Sequence, residues 1–342
     1  MKYLADISEF SAGREYPLAF ALLLRDMATG GNIIWATDDY THAGLPEFYG
    51  KTAQMRAEML TSGRARRLIC PRSLKPASVR KKRSRDVAEV FTPAWLCNLQ
   101  NNLLDAAWFG RKRVFNKEKN GGKNWTALTR KICRSAFDAR GRIVFPGGET
   151  WRDYVSLVRM EAACGEAPYL VSRYDCTRTR KLPMPLHRRI GLLDRKLRVV
   201  SENADTRSEW IYWAKRALES IYAFEFQGDN LLLARENLLF SFVDYFEAKF
   251  GERPSDALAA EIAEIIAWNV WQMDALKLVV PFSCHDVPED ASPRLAFNDS
   301  LPKRLPCPGC ARGDVALHNG VRCRIKDWES GEILEFGKDI GL

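Results

Sequence analysis

The stretch that most constrains this chain is Leu157 to Leu170, LVRMEAACGEAPYL. An apolar run ends in the acidic Glu161, small residues follow, Gly165 falls inside a tight turn, and Pro168 is placed to open a helix. A strand that delivers such a turn to a helix N-terminus brings backbone N–H groups close to a nucleotide-like cofactor, and glycine permits the approach. The pattern predicts an α/β chain. Its meaning depends on what lies on either side.

Residues 1–60 alternate short strand-like and helical pieces, with Ala19 to Leu24, a turn at Gly30-Gly31 and the β-rich Asn32 to Ala36, and read as a small α+β lobe. From Gly63 to Arg85 there are ten Lys/Arg (Arg64, Arg66, Arg67, Arg72, Lys75, Arg80, Lys81, Lys82, Arg83, Arg85) and no acid. Such a run either follows a phosphate backbone or forms a solvated linker between lobes. Two more basic stretches, Arg111 to Lys131 and Arg173 to Arg198, and a net charge of +9 favour a nucleic-acid-facing surface.

Thr92 is a good N-cap and Pro93 suits the first helical position, and Trp95, Leu96, Leu99, Leu103 and Leu104 recur at helical spacing. Residues 110–150, with Gly121-Gly122 and Gly147-Gly148, read as a loop-rich excursion. A helix over Ser208 to Ile221 leads into the strand Tyr222 to Glu225, again apolar and ending in a carboxylate. A long helix follows from Asp229, a third is capped by Ser255, and Asn269 to Leu276 comes next. A carboxylate at a second strand end is suited to ribose hydroxyls, which donate charge-assisted hydrogen bonds to it.

Taken together, four stretches resemble the N6-adenine DNA methyltransferases of restriction–modification systems. Phe91-Thr92-Pro93 resembles the motif that lies against S-adenosylmethionine, and Glu161 to Ala167 resembles the cofactor loop D/E-P-x-x-G-x-G. Glu225, followed by Ala234-Arg235-Glu236-Asn237-Leu238, resembles the acid that accepts from the ribose, and Asp274 the acid beside the cofactor adenine. The match runs from about 88 to 280, and the neighbourhood is similar to restriction endonuclease subunit M. The resemblance implies a cofactor site of Phe91, Thr92, Pro93, Glu161, Ala163, Gly165, Glu225 and Asp274.

Two departures stand out. Ala162 replaces the family's proline and Ala167 its last glycine. The family's catalytic [D/N/S]-P-P-[Y/F/W] motif, which holds a flipped adenine, has no counterpart: there is no Pro-Pro dipeptide, and Asn298 to Pro302 is a poor substitute. No catalytic residue is therefore assigned. Either the chain is one half of a split methyltransferase, a partner polypeptide supplying the catalytic strand at an open sheet edge, or it is a non-catalytic DNA-binding or adaptor relative with a decayed pocket. The cofactor motifs do not report the acceptor, so adenine N6, cytosine N4, and RNA or protein targets all stay open.

Cys307-x-x-Cys310, then His318 and Cys323, has the spacing of a tetrahedral zinc site, and Cys284-His285 can replace one ligand. Four protein ligands leave no open position, so the zinc is structural. The nine scattered cysteines otherwise suit reduced thiols, and the early apolar run Leu18 to Leu24 is too short to span a membrane. The expectation is a cytoplasmic α/β protein. It comprises an N-terminal α+β lobe with basic linker (1–85), a Rossmann-like S-adenosylmethionine-binding core (86–281) and a C-terminal zinc module (282–342), with DNA and a second polypeptide as partners and no membrane.

Overall fold

A computed structural model of the chain describes residues 7–62, 68–178, 182–288 and 304–338. Arg64, Arg66 and Arg67 of the basic run, and Asn298 to Pro302, lie outside the described residues. The chain is mixed α/β, mainly helical, with small sheets.

Three parallel strands form the centre: β3 (Arg159–Glu161), β4 (Ile221–Glu225) and β5 (Val270–Gln272), in the spatial order β3-β4-β5. The antiparallel hairpin of β1 (Asn116–Lys119) and β2 (Asn124–Ala127) precedes them in the chain. Parallel neighbours need crossovers. Helices α8 (Leu192–Asn203) and α9 (Arg207–Glu219) connect β3 to β4, and α10 (Gly228–Phe250) and α11 (Asp256–Asn269) connect β4 to β5. Register pairs Glu161 with Ala223 and Glu225 with Gln272, so the acid-bearing ends share one edge of the sheet.

The sequence explains these helices. All but one position of α10 from Gly228 to Phe246 is buried, its buried Asp229, Arg235 and Asn237 being hydrogen-bonded, and Gly251 ends it at φ +73°. Ser255 caps α11, its Oγ accepting from the Leu258 N–H at 3.3 Å. The N-terminal helices α1 (Glu9–Glu15) and α2 (Pro17–Leu23) pack into the same core, and the Asp256 carboxylate accepts from the N–H groups of Leu18 and Ala19 at 3.1 and 3.2 Å. An acid on one helix thereby satisfies the free donors of another. Two short helices follow, α3 (Pro46–Tyr49) and α4 (Ala57–Thr61), then α5 (Ala77–Asp86), α6 (Ala94–Phe109) and, after the first hairpin, α7 (Trp151–Ser156).

Side chains alternate across the sheet. Ala223 and Val270 enter the main core, while Phe224 and Trp271 join a second cluster with Met273, Val280, Cys323, Ile325 and Phe336. The latter face is covered by the hairpin of β8 (Arg324–Lys326) and β9 (Ile333–Glu335). Before it come a two-residue ladder of β6 (Val287–Pro288) with β7 (Arg304–Leu305), and helix α12 (Pro308–Arg312).

Several expectations are corrected. No helix opens at Pro168: Ala167 adopts φ +58°, a left-handed turn that diverts the chain, and the next α-helix is α8 at Leu192. The β-rich Asn32 to Ala36 form only isolated bridges, not a strand. In α6 Pro93 is the N-cap, one residue beyond Thr92, and half of the buried face is polar. Asn98, Asn101 and Asp105 are buried while Leu103 and Leu104 are 61% and 45% exposed. Asn98 exchanges hydrogen bonds with Asn116, Asn101 donates to the carbonyls of Tyr169 and Ile190, and Asp105 accepts from Arg195 and Tyr154. Polar groups that satisfy one another can be buried, and hydrophobic spacing does not register them.

Candidate functional site

At the end of β3 the Glu161 carboxylate accepts from the N–H groups of Tyr169 and Leu170 at 3.3 and 3.2 Å, closing the loop on itself. Burial, with Glu225 adding, pushes its carboxyl up to about 8. Ala163, Gly165 and Ala167 all have positive φ, 48°, 55° and 58°. Glycine adopts this freely, whereas each alanine costs about 1–2 kcal/mol. At Gly165 there is a second constraint: a Cβ would stand 2.9 Å from the Phe91 ring. The Gly165 N–H donates to Glu225 Oε2 at 2.8 Å, and Gln227 N–H to Glu225 Oε1 at 3.1 Å. Burial raises the Glu225 carboxyl as well.

Phe91, Glu161, Gly165 and Glu225, far apart in the chain, thus meet at the strand ends. Phe91 packs with Tyr174 and Cys176. The Thr92 carbonyl accepts from the thiols of Cys97 and Cys176, and Ala163 is exposed. Asp274 follows β5 but turns away: its Oδ1 accepts from Leu276 N–H at 3.1 Å and its Oδ2 lies 3.6 Å from Lys277 Nζ, closing its own turn.

The basic run contributes what the sequence did not reveal. Lys75 and Arg83 are buried, not solvated, and both donate to Asp229, Lys75 at 2.7 Å and Arg83 at 2.9 and 3.0 Å. Arg83 also donates to Glu89 and Gln227, and Tyr40 to Asp229 at 2.7 Å. Against the opposing pull of burial, Lys75 and Arg83 hold the Asp229 carboxyl well below the usual range. Glu166, which accepts from Arg72 N–H and Tyr174 OH, is pushed up to about 7 by its burial.

Ile34 and Trp35 cross the N-terminus of α10. Gly228 N–H donates to the Trp35 carbonyl at 3.0 Å, and a Cβ at Gly228 would stand 2.0 Å from Ile34 O. The Gln272 side chain clamps Ile34, accepting from its N–H at 2.9 Å and donating to its carbonyl at 2.8 Å. Beyond Glu225, Phe226 meets Phe282 edge-on at 5.7 Å, and Phe282 is 47% exposed.

A second site lies in the C-terminal segment. Ligand atoms of Cys284, Cys307, Cys310 and His318 all lie within 4.8 Å of one another, a cluster that could hold a metal ion. The three sulfurs stand 3.6, 3.7 and 3.7 Å from His318 Nδ1. A tetrahedral zinc with bonds of about 2.3 Å to sulfur and about 2.0 Å to nitrogen has S···N edges of roughly 3.6 Å, so the donor set fits. Cys307 caps α12, and Gly309 is required because a Cβ there would stand 2.5 Å from His318 N. Although desolvation opposes it, the N–H groups of Asn319, Cys310 and Gly309 and the His318 ring hold the Cys307 thiol down at about 6.

Cys284 takes the place expected of Cys323. Cys323 is fully buried in the second core cluster, its thiol donates to the Gln272 carbonyl at 3.4 Å, and burial raises its pKa.

No protein-family model matches this chain, and neither a curated protein nor a solved structure matches it. Among the described residues no helix is long and apolar enough to cross a membrane.

Proposed function

We propose that the chain is an S-adenosylmethionine-binding methylation subunit acting on DNA, its catalytic motif supplied by a second polypeptide. The observation that carries this reading is the Gly165 N–H held on the Glu225 carboxylate beneath the Phe91 ring. These residues were singled out in separate motifs, and each is of a type suited to one part of such a cofactor. Glu225 uses two acceptor positions on Gln227 and Gly165, and a carboxylate has about four. Two remain for ribose hydroxyls, with Phe226 and Phe282 beyond for a planar base. The cofactor would supply an activated methyl group. This chain's residues bind and orient it, and alignment with the acceptor accounts for most of the rate.

The partner reading draws on β3, which pairs only with β4 among the described residues and has Val158 just before it 67% exposed and Met160 within it 46% exposed. An unpaired edge with apolar flanks invites a strand. In this reading the Cys284, Cys307, Cys310 and His318 cluster holds a structural zinc ion, and the scattered, odd-numbered cysteines suit a reducing cytoplasm.

The alternative is a DNA-binding adaptor with a decayed pocket, favoured by the way Ile34 and Trp35 cover Gly228. Thermal melting separates the two. S-adenosylmethionine at about a hundredfold over its Kd stabilises a binding protein by about 2.7 kcal/mol. A rise in Tm with S-adenosylmethionine that Glu225→Ala loses supports the first reading, and an unchanged Tm at saturating concentrations supports the adaptor.

A further inference from the structure

Helix α5 carries its charges on two faces that do different work. Lys82 and Arg83 turn toward Asp39 and the buried network. Ala77, Arg80, Lys81, Ser84 and Arg85, at helical positions i, i+3, i+4, i+7 and i+8, form the other face. With Arg72 opposite, this face lines an open cleft of about 540 Å³. No acid lines it among the described residues, although Arg85 is held by its neighbour Asp86 at 2.6 Å.

Two features mark the cleft as more than a solvated charge run. Arg80 Nε is shielded from solvent and has no hydrogen-bond partner among the described residues, an arrangement that costs stability unless an acceptor arrives. Arg72 is also preset: its guanidinium lies 5.4 Å from the Phe91 ring centroid, its Nη2 donates to Ser84 Oγ at 3.0 Å, and its Nε lies 3.4 Å from Glu89. A guanidinium fixed by an aromatic face and a hydroxyl is suited to a tetrahedral oxyanion.

We propose that this cleft is a phosphate-binding seat and that it takes a backbone phosphate of nucleic acid. A phosphodiester presents acceptors to Arg80 Nε and to the Arg72 fork while its charge is met by Lys81 at the rim. The Arg72–Phe91 contact would then set a nucleic-acid strand beside the candidate cofactor site. The inference rests on the proposed function only in choosing nucleic acid as the source of the phosphate. The assay below contains no cofactor, so the two readings fail separately.

The test is binding of a short fluorescent DNA duplex across a salt series, for the wild type, Arg80→Gln/Lys81→Gln, the charge-retaining Arg80→Lys/Lys81→Arg, and Lys82→Gln. Thermal melting checks that each is folded. The double glutamine variant is expected to lose roughly tenfold or more in affinity at low salt and to flatten the log–log salt slope by about one to two. Lys82→Gln removes one charge from the opposite face and should stay within about twofold, and the charge-retaining variant should recover most of the slope. A slope unchanged in the double glutamine variant overturns the nucleic-acid assignment. Calorimetry with inorganic phosphate then decides the rest: binding that requires Arg80 and Lys81 leaves free phosphate as the ligand, and no binding overturns the seat altogether.

Discussion

Replacing Arg83 by methionine probes how the basic segment is held. The Arg83 side chain is 2% exposed and its partners Glu89 and Asp229 are 5% and 0% exposed. Methionine matches much of its length but leaves Asp229, among the described residues, with only Lys75 as a cation, and Glu89 with Asn230 and the more distant Arg72. Breaking a buried pair from one side costs about 3–5 kcal/mol, because the other charge stays buried. Urea denaturation at neutral pH should therefore show a loss of about that size, while Lys82→Met, whose side chain is 58% exposed, should lose no more than about 1 kcal/mol. The pH dependence has a definite sign. Asp229 is depressed in the folded state, so its contribution is present above the unfolded value of about 3.9 and is lost as pH falls through the depressed value. The gap between wild type and Arg83→Met should thus be widest near neutrality and narrow below about pH 4. A neutral-pH loss under about 1 kcal/mol would refute the buried network.

Glu161 has the opposite sign. Its folded pKa is raised to about 8, so stability falls as pH climbs from the unfolded value of about 4.3 toward 8. Glu161→Gln removes that titration and should gain on the wild type between pH 5 and pH 8 in thermal melts; parallel profiles would contradict the burial. For the metal cluster, Cys284→Ala should purify with little bound zinc by elemental analysis, whereas Cys323→Ala should keep a stoichiometric ion. The reverse pattern would restore Cys323 as the ligand.

The strand ends were legible because acid-terminated apolar runs are short, local signals: Glu161 and Glu225 sit where the runs placed them. What escaped were arrangements that satisfy polar groups across long sequence distances. Asn98, Asn101 and Asp105 fall outside the apolar spacing of Trp95, Leu96, Leu99, Leu103 and Leu104, yet they are buried and pair with residues from the hairpin, the turn after β3 and α8. The basic run offered two readings, phosphate contact or linker, and α5 divides it, burying Arg83 while presenting Arg80. The fourth metal ligand was ambiguous for a similar reason. Spacing favours Cys323, but that residue lies in the second core cluster beside Ile325 and Phe336, and Cys284, earlier in the same C-terminal segment, reaches the metal cluster instead.

The central claim is that Phe91, Gly165 and Glu225 form a cofactor site. Calorimetric titration of S-adenosylmethionine into the wild type, Glu225→Ala and Asp274→Ala tests it most directly. Saturable binding that Glu225→Ala abolishes and Asp274→Ala retains is the predicted result, because Glu225 faces the glycine loop whereas Asp274 closes its own turn. A folded wild type that takes up no cofactor, or binding that survives Glu225→Ala unchanged, would contradict it.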